Sequence, residues 1–242
     1  MKRFIKYLIK KTITDRFAHW YTEPIYEQYR QLLKFAQLSY SQEGEDALLF
    51  ELLGHQSTGF YVDIGAHHPM RFSNTYFFYQ KGWRGINVDA SPGSMIEFNA
   101  LRKLDINVEI GIDADEGSKI FYMFNEPGLN TFDQDRMMEI VKIPDYKLVN
   151  QVEVSTITLS NLLDKFLPKG LEIDFLNLDA EELDYHILNT NNWEKYRPKF
   201  ILTEHYTNDF HEIFNSRVYL LLTGHGYELK AKTYRNLIFA RR

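Results

Sequence analysis

Asp63, Gly65, Asp89, Asp179, Glu204 and His205 stand at the ends of short apolar runs. Such runs read as buried strands, and polar residues at strand ends are where α/β sheets hold ligands. The first turn reads Val62-Asp63-Ile64-Gly65-Ala66-His67-His68-Pro69. A dinucleotide needs several backbone N–H groups around its pyrophosphate, which G-x-G-x-x-G supplies. Here a single glycine is followed by bulky residues and a proline without an N–H, so a pyrophosphate is poorly cradled. No G-x-x-x-x-G-K-[ST] loop occurs either. S-adenosylmethionine carries no phosphate and asks for less: close backbone approach at one glycine, anionic partners for its ammonium group and a carboxylate for its ribose diol. Gly65 can supply the first. Asp63 can serve the methionine end through backbone or water. Asp89, 26 residues after Asp63, can accept from both ribose hydroxyls. The competing reading makes Asp63 and Asp89 helix caps or turn residues.

Methyl transfer from such a donor is an in-line displacement that requires alignment of donor and acceptor. An alcohol acceptor also needs a general base within hydrogen-bond reach. His205, Glu181, Asp179 and Glu204 are the candidates, and a histidine titrates near working pH. Each has a plainer alternative: His205 a structural loop residue, Asp179 a helix N-cap, Glu181 an electrostatic partner of a helix N-terminus. His67 and His68 could touch the acceptor, or join Glu204 and His205 around a metal. Their spacing is not that of a metal site, and no metal is expected. Tyr76, Phe77, Phe78 and Tyr79 read as a helix packing face.

The elements that must position these residues alternate. Phe60–Ile64, Gly85–Val88 and Ile106–Ile112 read as strands, with a helix from Ser91 and Pro92 to about Leu104 between the last two. Residues 113–157 are less regular: strands at Lys119–Phe124 and Val152–Ile157 flank a long loop with Gly128, Asn130, Thr131 and Pro144, which could close over an acceptor. Leu159, Leu162, Leu163, Phe166 and Leu167 keep helical spacing behind a Thr158 cap. Strand Ile173–Leu178, helix 182–190, strand Lys199–Thr203 and one helix from Phe210 through Leu221 to Gly224 follow. Tyr227–Lys232 and Tyr234–Ala240 read as a terminal hairpin. Repeated strand–helix units predict a mainly parallel sheet covered on both faces, with an antiparallel edge from the hairpin. Residues 1–38 read as a helical, tyrosine-rich extension, and Asp46–Leu53 as a short helix opening a domain that runs from 39 to 242.

Charge limits the partners. Net charge is −5. Residues 1–16 hold six basic residues against Asp15, about +5, which leaves the remainder at about −10. An acidic body argues against nucleic acid as the main partner. The absence of cysteine excludes disulfides and thiolate chemistry and fits a reducing cytoplasm. No run approaches the roughly 20 apolar residues that span a bilayer. The basic N-terminal segment, with Phe4, Ile5, Leu8, Ile9 and Ile13 among lysines, reads either as weak contact with an anionic inner-membrane surface or as a helix packed on the domain.

Several stretches together resemble the FkbM-type methyltransferases. They are Ser41–Asp46 (SQEGED), Gly59–Pro69 (GFYVDIGAHHP), Ser73–Phe78 (SNTYFF), Gly82–Pro92 (GWRGINVDASP), Leu129–Phe132 (LNTF), Val152–Leu163 (VEVSTITLSNLL) and, in outline, Asp174–Leu188. The resemblance implies a Rossmann-like class I methyltransferase fold with a seven-stranded sheet, S-adenosylmethionine as cofactor, and O-methylation of a sugar, glycan or small-metabolite hydroxyl. It assigns Asp63, Gly65 and Ala66 to the cofactor turn, Ser73 and Asn74 to the loop beside it, and Asp89 with Ala90 to the ribose. One departure is present: where the family shows D-V-E-G-x-E, this chain has Asp179-Ala180-Glu181-Glu182-Leu183-Asp184. That change motivates a second reading, a catalytically weak cofactor-binding interaction module. A nicotinamide oxidoreductase is a third, disfavoured by the single-glycine turn.

Overall fold

The computed structural model describes residues 33–180 and 183–242. The chain divides into two units, Met1–Leu38 and Ser39–Arg242. Within the first, only a short 3-10 turn at Leu33–Phe35 is described. The basic helix expected at residues 1–16, and with it any membrane contact, lies outside the described residues.

The second unit is built on a seven-stranded sheet. Its strands are β1 (Phe60–Ile64), β2 (Arg84–Asp89), β3 (Ile106–Glu109), β7 (Phe175–Leu178), β8 (Phe200–Glu204), β9 (Tyr227–Lys232) and β10 (Asn236–Arg241). Their spatial order is β3-β2-β1-β7-β8-β10-β9. The first five are parallel; β10 runs antiparallel between β8 and β9. The hairpin therefore supplies one inner strand and one edge. The strand order reverses direction at β1, which has β2 on one side and β7 on the other.

Both faces are covered, as a parallel sheet requires. Val62, Ile64, Val88, Leu176 and Ile201 pack on α5 (Leu159–Phe166), α6 (Asp184–Asn189) and α8 (Arg217–Gly224). Tyr61, Phe175 and Leu202 point the other way, onto Leu49 of α1 (Glu45–Leu52) and Phe78 of α2 (Tyr76–Gln80). Alternation along a strand sends Tyr61 and Asp63 to the same face. The Tyr76–Tyr79 run packs as expected, with Phe78 fully buried. The Thr158 side chain accepts from the Asn161 N–H and caps α5.

Three expectations are corrected. Ile106–Ile112 is not one strand: the chain leaves the main sheet after Glu109, and Gly111–Ile112 (β4) joins a second sheet of order β4-β6-β5. Residues 113–157 are not dominated by a loop. β5 (Gly117–Phe124) pairs antiparallel with β6, which begins at Leu148 and runs to Ile157. A 3-10 turn (Pro127–Leu129) and α4 (Gln134–Ile140) fill the interval. Asp133 caps α4 by accepting from the Asp135 and Arg136 N–H groups, a start signal that is plain once seen. The helix after β8 is two helices, α7 (Phe210–Asn215) and α8, because Ser216 adopts extended backbone and caps α8 through the Tyr219 N–H. Between β2 and β3 lies α3 (Met95–Leu101).

Candidate active site

A cavity of about 380 Å³ opens at the carboxyl ends of β1, β2, β7 and β8. That is the crevice where an open α/β sheet holds its ligand, at the point of strand-order reversal, and its size falls in the range of small-ligand sites. Asp63, Gly65, Ala66, Ser73, Asn74, Asp89, Ala90, Asp179 and Glu204 all line it. The segment from Gly111 to Ile157 supplies the opposite wall, through Phe121 of β5 and through Leu129, Phe132 and Arg136 of the turn, loop and helix between β5 and β6.

Gly65 has φ 77°, and a Cβ there would collide with the carbonyl oxygen of Asp179. Glycine is thus required for the end of β7 to close against the turn as well as for approach to a ligand. The Gly65 and Ala66 N–H groups both donate to the Val88 carbonyl at 3.0 Å, so the turn folds over the end of β2. The Asp89 carboxylate completes this clamp, accepting from His67 N–H at 3.0 Å and Ser91 N–H at 2.7 Å, one to each oxygen. A carboxylate oxygen has two acceptor sites. Each oxygen of Asp89 retains one, a fit for the two hydroxyls of a ribose. Asp89 is therefore a turn residue and a candidate diol acceptor together.

Asp63 lies at the cavity floor and is almost fully buried, 2% exposed. It accepts from Thr75 Oγ1 at 2.6 Å and Asn177 Nδ2 at 2.8 Å, and Asn177 Oδ1 accepts from Asn74 Nδ2 at 2.9 Å. Burial raises its pKa, and the nearby Arg102 opposes that. Its hold on the cavity is thus indirect, through Asn74 and Asn177. The Ser73 hydroxyl accepts from the Tyr76 N–H at 3.1 Å and fixes the entry to α2. Sequence reasoning missed Asn177 and Arg102. Arg102 is fully buried and donates to Asp105, Tyr61 Oη and Thr75 Oγ1. A long-range network of this kind has no local motif; the asparagine inside an otherwise apolar β7 was the one available signal.

The helix that follows Asp179 begins at Asp184, with Leu183 at its N-cap position. The buried acid in that turn is Asp184. It accepts from Ala180 N–H, Thr203 Oγ1 and Glu204 N–H, at 3.0, 2.6 and 3.0 Å, and so ties the ends of β7 and β8 together. Burial pushes its pKa up to about 7. Glu181 and Glu182 lie outside the described residues.

His205 is not brought into the cavity. Its backbone N–H donates to the Arg235 carbonyl and its own carbonyl accepts from Lys232 Nζ, while its Nε2 is buried with no hydrogen-bond partner. Burial, then Lys232, lowers its pKa. The strand ends at Glu204; Glu204 and Tyr206 line the cavity, and the residue between them does not. The structure therefore does not bring His205, one of the four expected base candidates, to the cavity lining. His67 does line the cavity, with its pKa lowered by burial against the opposing Asp89 charge. His68 instead accepts from the Met70 and Arg71 N–H groups at Nδ1. Among the described residues, no group of three or more histidine or acidic side chains clusters as a metal site would require. Asn130 and Thr131 are pinned, not loose: Thr131 exchanges backbone bonds with Tyr122, and Asn130 bonds Phe124 N–H and Ser91 Oγ.

Fold and crevice together define a Rossmann-like α/β domain with a ligand-sized cavity at its strand ends. The chain belongs to the FkbM methyltransferase family: the sequence model described as "Methyltransferase FkbM domain" matches residues 63–229. It is accordingly an S-adenosylmethionine-dependent methyltransferase of class I fold. Two solved structures are similar over most of their length. One is a precorrin-6y C5,15-methyltransferase from Geobacter metallireducens, 13% identical, TM-score 0.43, covering 81% of this chain and 88% of that one. The other is a TehB-like SAM-dependent methyltransferase from Corynebacterium glutamicum, 10% identical, TM-score 0.42, covering 92% and 98%. No curated protein matches. No helix among the described residues is long and apolar enough to cross a membrane.

Proposed function

We propose that this protein transfers a methyl group to a hydroxyl of a sugar, glycan or small metabolite. The observation that carries this reading is the juxtaposition, in one cavity, of the Asp89 carboxylate on β2 with two further carboxylates, Asp179 and Glu204, at the ends of β7 and β8. Asp89 and Ala90 take the ribose. Gly65 and Ala66, with Ser73 and Asn74, take the methionine end. Ile110, Ile112, Phe121 and Phe132 line the same cavity beside Ala90 and offer the apolar slot a purine needs. Bound there, S-adenosylmethionine supplies a methyl carbon activated for displacement. The chain's own contribution is alignment, with Asp179 or Glu204 accepting the hydroxyl proton. We place the reaction in the reducing cytoplasm, on the cysteine-free sequence.

Calorimetry with S-adenosylhomocysteine, followed by incubation with S-adenosylmethionine and cell-envelope glycan extract, tests this. Nucleoside binding, and a glycan mass increase of one methylene unit, are expected. Asp89→Ala is expected to weaken nucleoside affinity by about tenfold or more, from the loss of charge-assisted hydrogen bonds. Unchanged affinity in a folded Asp89→Ala protein removes the ribose assignment. Transfer to nitrogen or carbon instead of oxygen overturns the acceptor class.

A further inference from the structure

The cavity also carries a second set of lining residues, from the 67–74 loop and from beyond the end of β8, with a different chemistry from the apolar slot. Phe72 and Tyr206, 47% and 48% exposed, are rings on its lining, and Arg71 and Arg235 add two guanidinium groups. Arg235 is engaged, by the Gln42 side chain and, at 3.6 Å, by Glu43. Arg71 has no carboxylate partner among the described residues. Its guanidinium sits 4.6 Å above the Phe72 ring.

The backbone that presents Arg71 is held against its own preferences. His67 and Phe72 both have positive φ, 51° and 57°, which for residues with a Cβ costs on the order of 1 kcal/mol each. The His68 imidazole fixes the turn by accepting from the Met70 and Arg71 N–H groups at 3.0 and 2.9 Å. A strained, braced turn that brings to the cavity lining an arginine with no carboxylate partner among the described residues is a built feature.

We infer that the methyl acceptor carries an anionic group, a carboxylate or a phosphate ester on a sugar, which Arg71 engages while Phe72 and Tyr206 bound the ring. The inference rests on the methyltransferase reading of this cavity. Asp179 and Glu204 line the same cavity. As candidate proton acceptors they meet the hydroxyl, and Arg71 offsets their repulsion of an anionic substrate.

The test uses the full chain saturated with S-adenosylhomocysteine. Calorimetric titrations with digalacturonate, glucose 1-phosphate and neutral maltose compare the acceptor classes. At least one anionic probe should bind about tenfold or more tighter than maltose, the worth of one charge-assisted bidentate contact. Digalacturonate against glucose 1-phosphate then separates carboxylate from phosphate. Arg71→Gln should erase that preference and leave S-adenosylhomocysteine affinity within about twofold, and Arg71→Lys should recover part of it. Equal binding of charged and neutral probes overturns the inference, as does binding of none of them. So does an Arg71→Gln protein with weakened nucleoside binding, which would assign Arg71 to the cofactor carboxylate. Failure of wild-type protein to bind the nucleoside at all is a different outcome, and counts against the methyltransferase reading itself.

Discussion

The two walls of the cavity are made by different means. The floor, at the ends of β1, β2 and β7, is backbone packed on backbone: Gly65 against Asp179, and the turn N–H groups on Val88. Joined to it is a buried polar network through Asp63, Thr75, Asn177 and Arg102. The opposite wall, from Gly111 to Ile157, has its own backbone ladder, but its contacts between Gly111 and Phe132 are made through side-chain ends. Its own core is small, with Phe124, Met137 and Ile140 buried. The difference teaches where the site tolerates change. A floor fixed by main-chain contacts has no flexible group to yield, whereas side-chain ends in a wall can move by a rotamer.

The sharpest way to break that comparison is one methyl group on the floor. Gly65→Ala puts a Cβ on a left-handed residue and into a backbone carbonyl. Neither conflict can relax without separating β7 from the turn. We expect a loss of roughly 4 kcal/mol or more, in the range reserved for strained backbone and overpacking together. Thermal unfolding of the variant should show a collapse of the transition or no soluble protein. A melting temperature close to wild type would mean that the floor is as compliant as the wall.

How much of this was legible beforehand follows the same division. The floor announces itself locally, because strand, glycine and acid follow one another within a few residues: Val62-Asp63-Ile64-Gly65, and later Val88-Asp89. Periodicity alone located six of the seven main strands to within about two residues. It misplaced the end of β3, since Ile106–Ile112 (INVEIGI) keeps one unbroken alternation and nothing in that period says that the sheet changes at Ile110. The wall was harder. Gln134–Ile140 is a helix of seven residues with only Met137 and Ile140 buried, too short for a helical period to stand out. Within the site, strand ends were readable, but side-chain direction past a strand end was not. His205 and Glu204 are adjacent, and only the three-dimensional path shows which of them faces the cavity. Asn177 and Arg102 act through partners 114 and 27 residues away, which no spacing rule captures.

A second, smaller effect probes the joint between β7 and β8. Asp184 is buried, and its pKa is pushed up to about 7 by that burial. An unfolded aspartate titrates near 3.9. The folded state therefore holds the proton more tightly. Asp184 costs no stability below about pH 4, costs progressively more as pH rises toward about 7, and a constant amount above that. The whole swing is on the order of a few kcal/mol. Denaturant unfolding of wild type and Asp184→Asn between pH 4 and 8 measures it. The stability difference should move in favour of the asparagine variant as pH rises through that window. A pH-independent difference would show that the three hydrogen bonds to Asp184 keep it ionised throughout.

The smallest effect comes from the same glycine-to-alanine change made in the wall. A Cβ on Gly111 would lie 2.5 Å from Phe132 Cζ and 3.1 Å from Phe132 Cε2 and Thr156 Cγ2. Every atom it meets is the end of a side chain, and Phe132 borders open cavity. The ring can swing away at a cost of about 1 kcal/mol, the low end for overpacking. Gly111→Ala should therefore fold with nearly the wild-type melting temperature, where Gly65→Ala does not. The displaced ring has to go somewhere, and the space beside it is the proposed purine slot. We expect nucleoside affinity to fall several-fold, by roughly 1 kcal/mol, in a protein whose stability is almost unchanged. A Gly111→Ala protein that is as unstable as Gly65→Ala would show the wall to be as rigid as the floor. One with full nucleoside affinity would move the purine away from Phe132 and leave the second sheet as scaffold alone.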